Sequence, residues 1–179
     1  MVKKIISGGQ TGVDRAALDV AIELGIEHGG SIPRGRRTEN GGLPPGYELE
    51  ELPSSSYPKR TEKNILDADG TLIISQGKLT GGSALTRHLG SRDGKPWLHI
   101  DLLRVHPSEA VNIVRKWIEK HRVEVLNVAG PSASKAPRIY DDTFSILKAV
   151  IKGYVLYSPI EVAPRFITEP ACVPISLGV

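Results

Sequence analysis

The amino-acid sequence predicts an α/β fold of three layers, α/β/α, with a mostly parallel sheet. Strand-like and helix-like segments alternate along the chain, and such alternation builds a parallel sheet with helices on both faces. Residues 71–75 read TLIIS, an apolar run typical of a parallel strand buried on both faces. Glycine-rich turns follow several of these segments, at the strand ends where ligands bind in such sheets.

Apolar runs bounded by turn residues predict the strands, and apolar residues spaced three and four apart predict the helices. The predicted strands are Lys3–Ser7, Ile26–Ser31, Tyr47–Leu52, Thr71–Ser75, Pro96–Asp101 and Val123–Val128. The predicted helices are Val13–Leu24, a helix capped by Thr61 and reaching Ala68, Ala84–Leu89, Pro107–His121 and Ile139–Lys152. Residues 33–58 are rich in Gly, Pro and Ser and are read mainly as loop.

Composition limits the class of protein. A chain of 179 residues, 40% apolar and 24% charged, can bury a core as one soluble domain. Cys172 is the single cysteine and no two histidines have ligand spacing, so we expect neither an internal disulfide nor a metal site. The apolar run in MVKKII is short for a signal peptide and no segment reaches membrane-spanning length. We therefore expect a cytoplasmic protein.

Two regions are predicted. Residues 1–152 form the ligand-binding domain, and residues 153–179, which contain four prolines, form an extended tail that packs on the domain or on a partner subunit. The apolar tail predicts a homo-oligomer.

The first glycine loop, residues 7–12, reads SGGQTG and joins the first strand to the first helix. It lacks one glycine of the dinucleotide fingerprint and the Lys-Ser/Thr of a Walker A loop. Free amides at a helix N-terminus with no Cβ in the way attract anions. This indicates a phosphate-binding loop, although a tight turn without a ligand remains open. The candidate residues are Gly8, Gly9, Gln10, Thr11 and Gly12.

Two further glycine loops follow predicted strands. The second glycine loop, residues 75–86, reads SQGKLTGGSALT, and the third, residues 127–132, reads NVAGPS. One helix terminus contributes only about 0.3–1 kcal/mol toward an anion, whereas micromolar binding needs about −8 kcal/mol. We therefore expect the three loops to converge on one crevice. The candidates are Ser75, Thr80, Gly81, Gly82, Ser83, Thr86, Asn127 and Gly130.

Charged residues add to this hypothesis. The net charge is +3 with arginines clustered at positions 34, 36 and 37, which suits a small anionic ligand. Arg34 is a candidate phosphate clamp, although a solvated loop is an equal alternative. Asp14 either complements the helix dipole or holds a hydroxyl or amine of the ligand. Aromatic residues make up only 5% of the chain, which disfavours nucleic acid as the partner.

The segments SGGQTGVDRAALD, TEKNILDADGTLII with LTGGSALT, and NVAGPSASKAPRIYD resemble the putative molybdenum carrier family, small Rossmann-like proteins related to the molybdenum cofactor carriers of algae. The resemblance covers residues 3–150. It implies that the protein binds and protects the molybdenum cofactor (molybdopterin), a pterin bearing a phosphate, and contacts molybdoenzymes transiently. In this role the first loop holds the phosphate, residues 80–83 close over it, and Asn127 with Gly130 border the pterin or a nucleotide base.

The fold also resembles the lysine-decarboxylase-like nucleotide phosphoribohydrolases, whose signature is P-G-G-x-G-T-x-x-E. The matching run TGGSALTRH keeps both glycines but has Ala84, Leu85 and His88 in place of the later Gly, Thr and catalytic Glu. The missing carboxylate favours a carrier over an enzyme. A nucleotide-processing enzyme in which His88 substitutes, a nucleotide sensor, and an interaction protein remain alternatives.

Overall fold

The computed structural model of the protein describes residues 1–157. The central sheet has five parallel strands in the spatial order β2-β1-β9-β7-β8. Its strands are β1 (Lys4–Ile6), β2 (Glu27–Gly29), β7 (Gly70–Ser75), β8 (Trp97–Asp101) and β9 (Val125–Ala129). Four short strands lie outside it, namely β3 (Ser31–Ile32), β4 (Arg37–Thr38), β5 (Gly41–Gly42) and β6 (Glu50–Glu51). The helices are α1 (Val13–Glu23), α2 (Tyr57–Leu66), α3 (Gly81–Arg92), α4 (Pro107–His121) and α5 (Ile139–Tyr157).

Helices cover the sheet on both faces. Helices α1 and α4 both pack against α5 on one face, while α2 and α3 pack together on the other. The main apolar core lies between the sheet and helices α1, α4 and α5. It includes Ile5, Leu72, Leu126 and Val150, all fully buried. A smaller core, formed by Leu18, Ile32, Leu43 and Leu49, supports the short strands beside α1. The predicted three-layer α/β architecture is confirmed.

The strand order places a crevice at the centre of the sheet. From β1 the chain crosses to β2 at one edge, and from β7 it crosses to β8 at the other, while β9 lies between β1 and β7. The connections after β1 and after β7 therefore run in opposite directions across the sheet, away from β9. Such a reversal of strand order opens a crevice beyond the carboxyl ends of the strands.

The structure corrects several predicted boundaries. Helix α2 begins at Tyr57, four residues before the predicted cap at Thr61, because the Ser56 side chain accepts a hydrogen bond from the Lys59 amide (3.4 Å) and Pro58 suits the first turn. Thr61 is buried inside the helix. Helix α3 starts at Gly81 rather than at residue 84 and extends to Arg92.

The predicted strand over residues 26–31 divides into β2 and β3. Gly30 adopts φ +113°, and a Cβ at this position would lie 2.2 Å from the Ser7 carbonyl oxygen, so only glycine lets the chain leave the sheet here. The region predicted as loop contains the hairpin β4–β5, and the predicted strand over residues 47–52 shortens to β6. Helix α5 continues to Tyr157, past the predicted end at Lys152. The rest of the predicted tail, with Cys172, lies outside the described residues.

Candidate functional site

A cleft of about 350 Å³ lies at the carboxyl ends of β1, β7 and β9. Residues of all three glycine loops line it, and α2 contributes Tyr57, Arg60 and Thr61 to its wall. The expected convergence of the loops on one crevice is therefore observed. Its size falls within the range of about 300–1,000 Å³ that is usual for small-molecule sites.

The first glycine loop already holds an anion, and this anion belongs to the chain. The Asp14 carboxylate accepts a hydrogen bond from the Gln10 amide (3.3 Å) and faces the Arg60 guanidinium at 3.6 Å. Burial raises the pKa of Asp14, opposed by Arg60 and by the amides of Gln10 and Gly8. The free amides that suggested a phosphate-binding loop are thus partly used by a side chain from α1.

The other glycines of the first loop serve packing. A Cβ on Gly9 would lie 2.9 Å from the Leu49 side chain, so this glycine faces the smaller core. A Cβ on Gly12 would lie 2.5 Å from the Pro131 carbonyl oxygen of the third loop. Both residues have φ +73°, which favours glycine whatever lies nearby. Neither lines the cleft, so the expectation that they hold phosphate finds no support in the geometry.

Arg60 is the residue that sequence reasoning missed. Its guanidinium lies over Gly8, where an added Cβ would be 1.4 Å from Nη1. The Arg60 Nε is buried and has no hydrogen-bond partner among the described residues. The sequence shows only a basic cluster with Lys59 and Lys63, and nothing in it indicates which of the three faces the crevice. The true start of α2 is what orients Arg60 inward.

The second glycine loop opens directly into the cleft. Helix α3 starts here, and the side chain of its N-cap residue Thr80 makes no capping hydrogen bond. Gly82 lines the cleft, and a Cβ added to it would meet no atom of the described residues within 4 Å. The first amides of α3 therefore border open space, the arrangement that the sequence had suggested for the first loop.

The base of the second loop is fixed by β8. The Ser75 hydroxyl donates to the Gly77 carbonyl (2.7 Å) and lies 2.8 Å from His99 Nε2. The Asp101 carboxylate accepts from the Gly77 amide at 2.6 Å. Burial lowers the pKa of His99, which favours the neutral ring beside Ser75.

The third glycine loop mainly allows close packing around the cleft. A Cβ on Gly130 would lie 2.4 Å from both the Ile74 carbonyl oxygen and Val13 Cγ2. The buried Asn127 side chain donates to Thr71 Oγ1 at 3.1 Å within the sheet. Asn127 is not among the residues lining the cleft, so its predicted contact with a heterocycle has no geometric support.

The two other predicted residues, Thr11 and Arg34, do not line the cleft. The Thr11 hydroxyl donates to the Glu39 carboxylate of the β4–β5 hairpin and accepts from the Ala133 amide (3.1 Å). Arg34 is exposed. The neighbouring Arg36 donates to the carbonyls of residues 47 and 49, so it supports the loop.

The structure thus separates the candidate residues into two groups. The cleft is lined by Gln10, Asp14, Ser75, Thr80, Gly82, Ser83, Thr86 and Gly130, whereas Gly8, Gly9, Thr11, Gly12, Arg34, Gly81 and Asn127 lie outside its lining.

The described lining of the cleft carries an excess of positive charge. Arg60, Lys78 and Lys135 line it, and Asp14 is the only carboxylate among the lining residues of the described chain. An anionic ligand is the charge complement of such a wall. Within residues 1–157, no group of three or more His, Cys, Asp or Glu residues is placed to hold a metal ion. In the same part of the chain, no helix has the length and apolar character needed to span a membrane.

Residues 5–151 match the model of the circularly permutated YpsA SLOG family. The match spans most of the chain, and the protein belongs to this family. The chain is also similar to a putative molybdenum carrier protein from Syntrophus aciditrophicus SB, known from a crystal structure. The two are 53% identical with a TM-score of 0.83, over 84% of this chain and 95% of the other. No curated protein matches the chain. The family resemblance seen in the sequence is thereby confirmed.

Proposed function

We propose that this protein is a non-catalytic carrier of a small ligand that joins an anionic group to a flat heterocycle. The molybdenum cofactor, a pterin bearing a phosphate, is the first candidate, and a nucleotide is the second. The observation that carries the proposal is the cationic cleft at the strand-order reversal. It combines an exposed aromatic ring with a buried guanidinium nitrogen that has no hydrogen-bond partner in the described part of the chain.

The anionic group belongs near Arg60 and the start of α3. Within residues 1–157, the buried Arg60 Nε has no hydrogen-bond partner, and a buried donor without an acceptor costs about 1–3 kcal/mol. A phosphate oxygen would satisfy it, since the planar guanidinium fork suits phosphate geometry. Lys78 and Lys135 add charge at the same cleft.

The heterocycle belongs against Tyr57. This side chain lines the cleft, yet the residue is 48% exposed. Exposed aromatic faces beside a cationic wall bind flat ring systems, and a stacked base contributes about 1–3 kcal/mol. Leu79 and Pro131 supply apolar surface in the same cleft.

The name of the 53% identical relative, a putative molybdenum carrier protein, supports the carrier role. Pterin and nucleotide share a phosphate and a flat ring, and the cleft is compatible with both. The homo-oligomer, the cytoplasmic location and the contact with molybdoenzymes stay predictions.

Calorimetric titration with the molybdenum cofactor and with guanosine monophosphate tests the proposal. We expect the wild type to bind one of them, and Arg60→Lys, which keeps the charge beside Asp14 but loses the fork, to bind about 10- to 100-fold more weakly. Tyr57→Ala should weaken binding about tenfold or more. Lys116→Ala, at an exposed position on α4, is the matched control. Wild-type affinity in both cleft variants would refute the proposal.

A second candidate function is an enzyme that cleaves the glycosidic bond of a nucleotide. Asp14 favours it, because a carboxyl with a raised pKa in a cleft is a candidate general acid. Against it, His88, at the position of the catalytic Glu, is exposed and does not line the cleft. Release of free base from nucleoside monophosphates by the wild type, abolished in Asp14→Asn, would replace the carrier function with this one.

A further inference from the structure

A carboxylate of the chain occupies a cluster of donors next to the cleft. Glu39 Oε2 accepts from the Ser134 hydroxyl (2.5 Å), and Oε1 accepts from the Ser134 amide (3.1 Å) and from the Thr11 hydroxyl. We call these donors of Thr11 and Ser134 the anion seat. Glu39 reaches it from the β4–β5 hairpin, which belongs to neither the first loop nor the segment that follows the third.

Contacts that do not involve Glu39 hold the seat in shape. The Thr11 hydroxyl accepts from the Ala133 amide (3.1 Å), and the hydroxyls of Ser132 and Ser134 lie 3.0 Å apart. The donors are therefore positioned by the packing of two segments against each other. They would keep this arrangement if the carboxylate left, as preorganised sites do.

The seat is contiguous with the cleft. Gln10 and Ser132 line the cleft, and the Gln10 side chain accepts from the Glu39 amide (2.9 Å) while Ser132 approaches Ser134. An anion in the seat would thus lie beside a ligand bound in the cleft, without sharing Arg60 or the start of α3.

We propose that the anion seat is an oxyanion-binding subsite, that Glu39 occupies it in the free protein as an internal substitute, and that a phosphate-like oxyanion displaces Glu39 and releases the β4–β5 hairpin. Two hydroxyls and one amide with no lysine or arginine suit a tetrahedral oxyanion held by hydrogen bonds. The same groups now donate to both oxygens of the Glu39 carboxylate.

Acidification near neutral pH would not empty the seat. Desolvation raises the pKa of Glu39, but hydrogen bonds from the Ser134 and Thr11 hydroxyls and from the Ser134 amide outweigh it and lower this pKa to about 2. Release of the hairpin therefore requires an anion that competes for the donors. Because the Glu39 carboxylate is part of the chain, a free anion must compete with it at an effective concentration of about millimolar or more.

Titration with inorganic phosphate, followed by NMR, tests this inference. Glu39→Gln removes the competing charge, so we expect phosphate to bind about tenfold more tightly than in the wild type. Glu39→Gln/Ser134→Ala should lose this gain, because one seat donor is absent. Glu119→Gln, an equal change of charge at an exposed position on α4, should match the wild type. In the wild type, phosphate should speed hydrogen exchange of residues 37–42.

The outcomes separate this inference from the proposed function. If Glu39→Gln strengthens the binding of inorganic phosphate alone, the seat binds a free oxyanion. If the substitution also strengthens the binding of the cleft ligand, the seat binds the phosphate group of that ligand. Equal phosphate affinity in wild type and Glu39→Gln, with unchanged exchange of the hairpin, would overturn the seat while leaving the Arg60 and Tyr57 variants as an independent test of the carrier function.

Discussion

At the scale of single residues, the glycines of the loops are of two kinds that look alike in the sequence. Gly12 has φ +73° and backbone atoms of the third loop where a side chain would begin. Gly82 has open space in that direction and lines the cleft. The first kind lets loops pack closely, and the second leaves room for a ligand.

We therefore expect opposite results from two alanine substitutions. Gly12→Ala should lower the free energy of unfolding by about 2 kcal/mol or more, because neither the backbone contact nor the left-handed conformation can relax easily. Gly82→Ala should leave stability unchanged or raise it by up to about 1 kcal/mol, since alanine favours helix, yet weaken ligand binding. Urea unfolding and calorimetry measure both effects. A ligand affinity unchanged in Gly82→Ala would contradict this view of the second loop.

The Asp14–Arg60 pair is the other residue-scale feature with a measurable consequence. Asp14 is 5% exposed, and removal of one member of a buried pair costs about 3–5 kcal/mol because the other charge stays unpaired. We expect Arg60→Met to show a loss of this size in urea unfolding. Asp14→Asn/Arg60→Met should recover much of it but not ligand binding. Additive losses in the double variant would show that the two side chains act separately.

At the scale of elements, the predictions were most accurate where burial produces a clear pattern of apolar residues in the sequence. The helix over residues 107–121 is found as predicted, and the strand predicted over 71–75 is found with Gly70 added at its start. A strand buried on both faces and an amphipathic helix each leave a recognisable pattern of apolar residues. The region before α2 leaves no such pattern. Its short strands pair through backbone groups, so the hairpin β4–β5 could not be predicted.

The same difference explains which parts of the candidate site could be predicted. The second glycine loop could be predicted because it follows an apolar strand and opens a helix. Arg60 could not, since its place depends on whether Ser56 or Thr61 caps α2, and both residue types are good caps. Nor does the sequence reveal that Asp14 already uses the amides of the first loop.

The β4–β5 hairpin gives an element-scale prediction on pH. In the folded protein the pKa of Glu39 is lowered to about 2 from an ordinary 4.5. A depressed pKa means that the carboxylate stabilises the fold above pH 4.5, and that this contribution is lost as the pH falls from 4.5 through 2. We expect the melting temperature of the wild type to exceed that of Glu39→Gln at pH 7. This difference should shrink as the pH falls from 4.5 through 2. A gap independent of pH would contradict an ionised Glu39 in the seat.

At the scale of the whole molecule, strand order is what turns separate loops into one site. The second and third loops follow β7 and β9, which are neighbours, and the first follows β1 on the other side of β9. The binding groups therefore come from distant parts of the sequence, whereas α4 and the loop before it lie away from the cleft. A ligand in the cleft must contact several elements at once and leave α4 untouched.

Hydrogen exchange measures this directly. At a ligand concentration 100 times Kd, binding to the folded state adds about 2.7 kcal/mol to its stability against global unfolding, and local opening around the ligand is suppressed further. We expect added protection in residues 57–61, 75–86 and 129–136 together, over a uniform background in α4. Arg60→Lys should reduce the protection of all three segments in parallel, because they share one ligand. Protection confined to one segment would mean that the loops do not form a common site, and the carrier function would lose its structural basis.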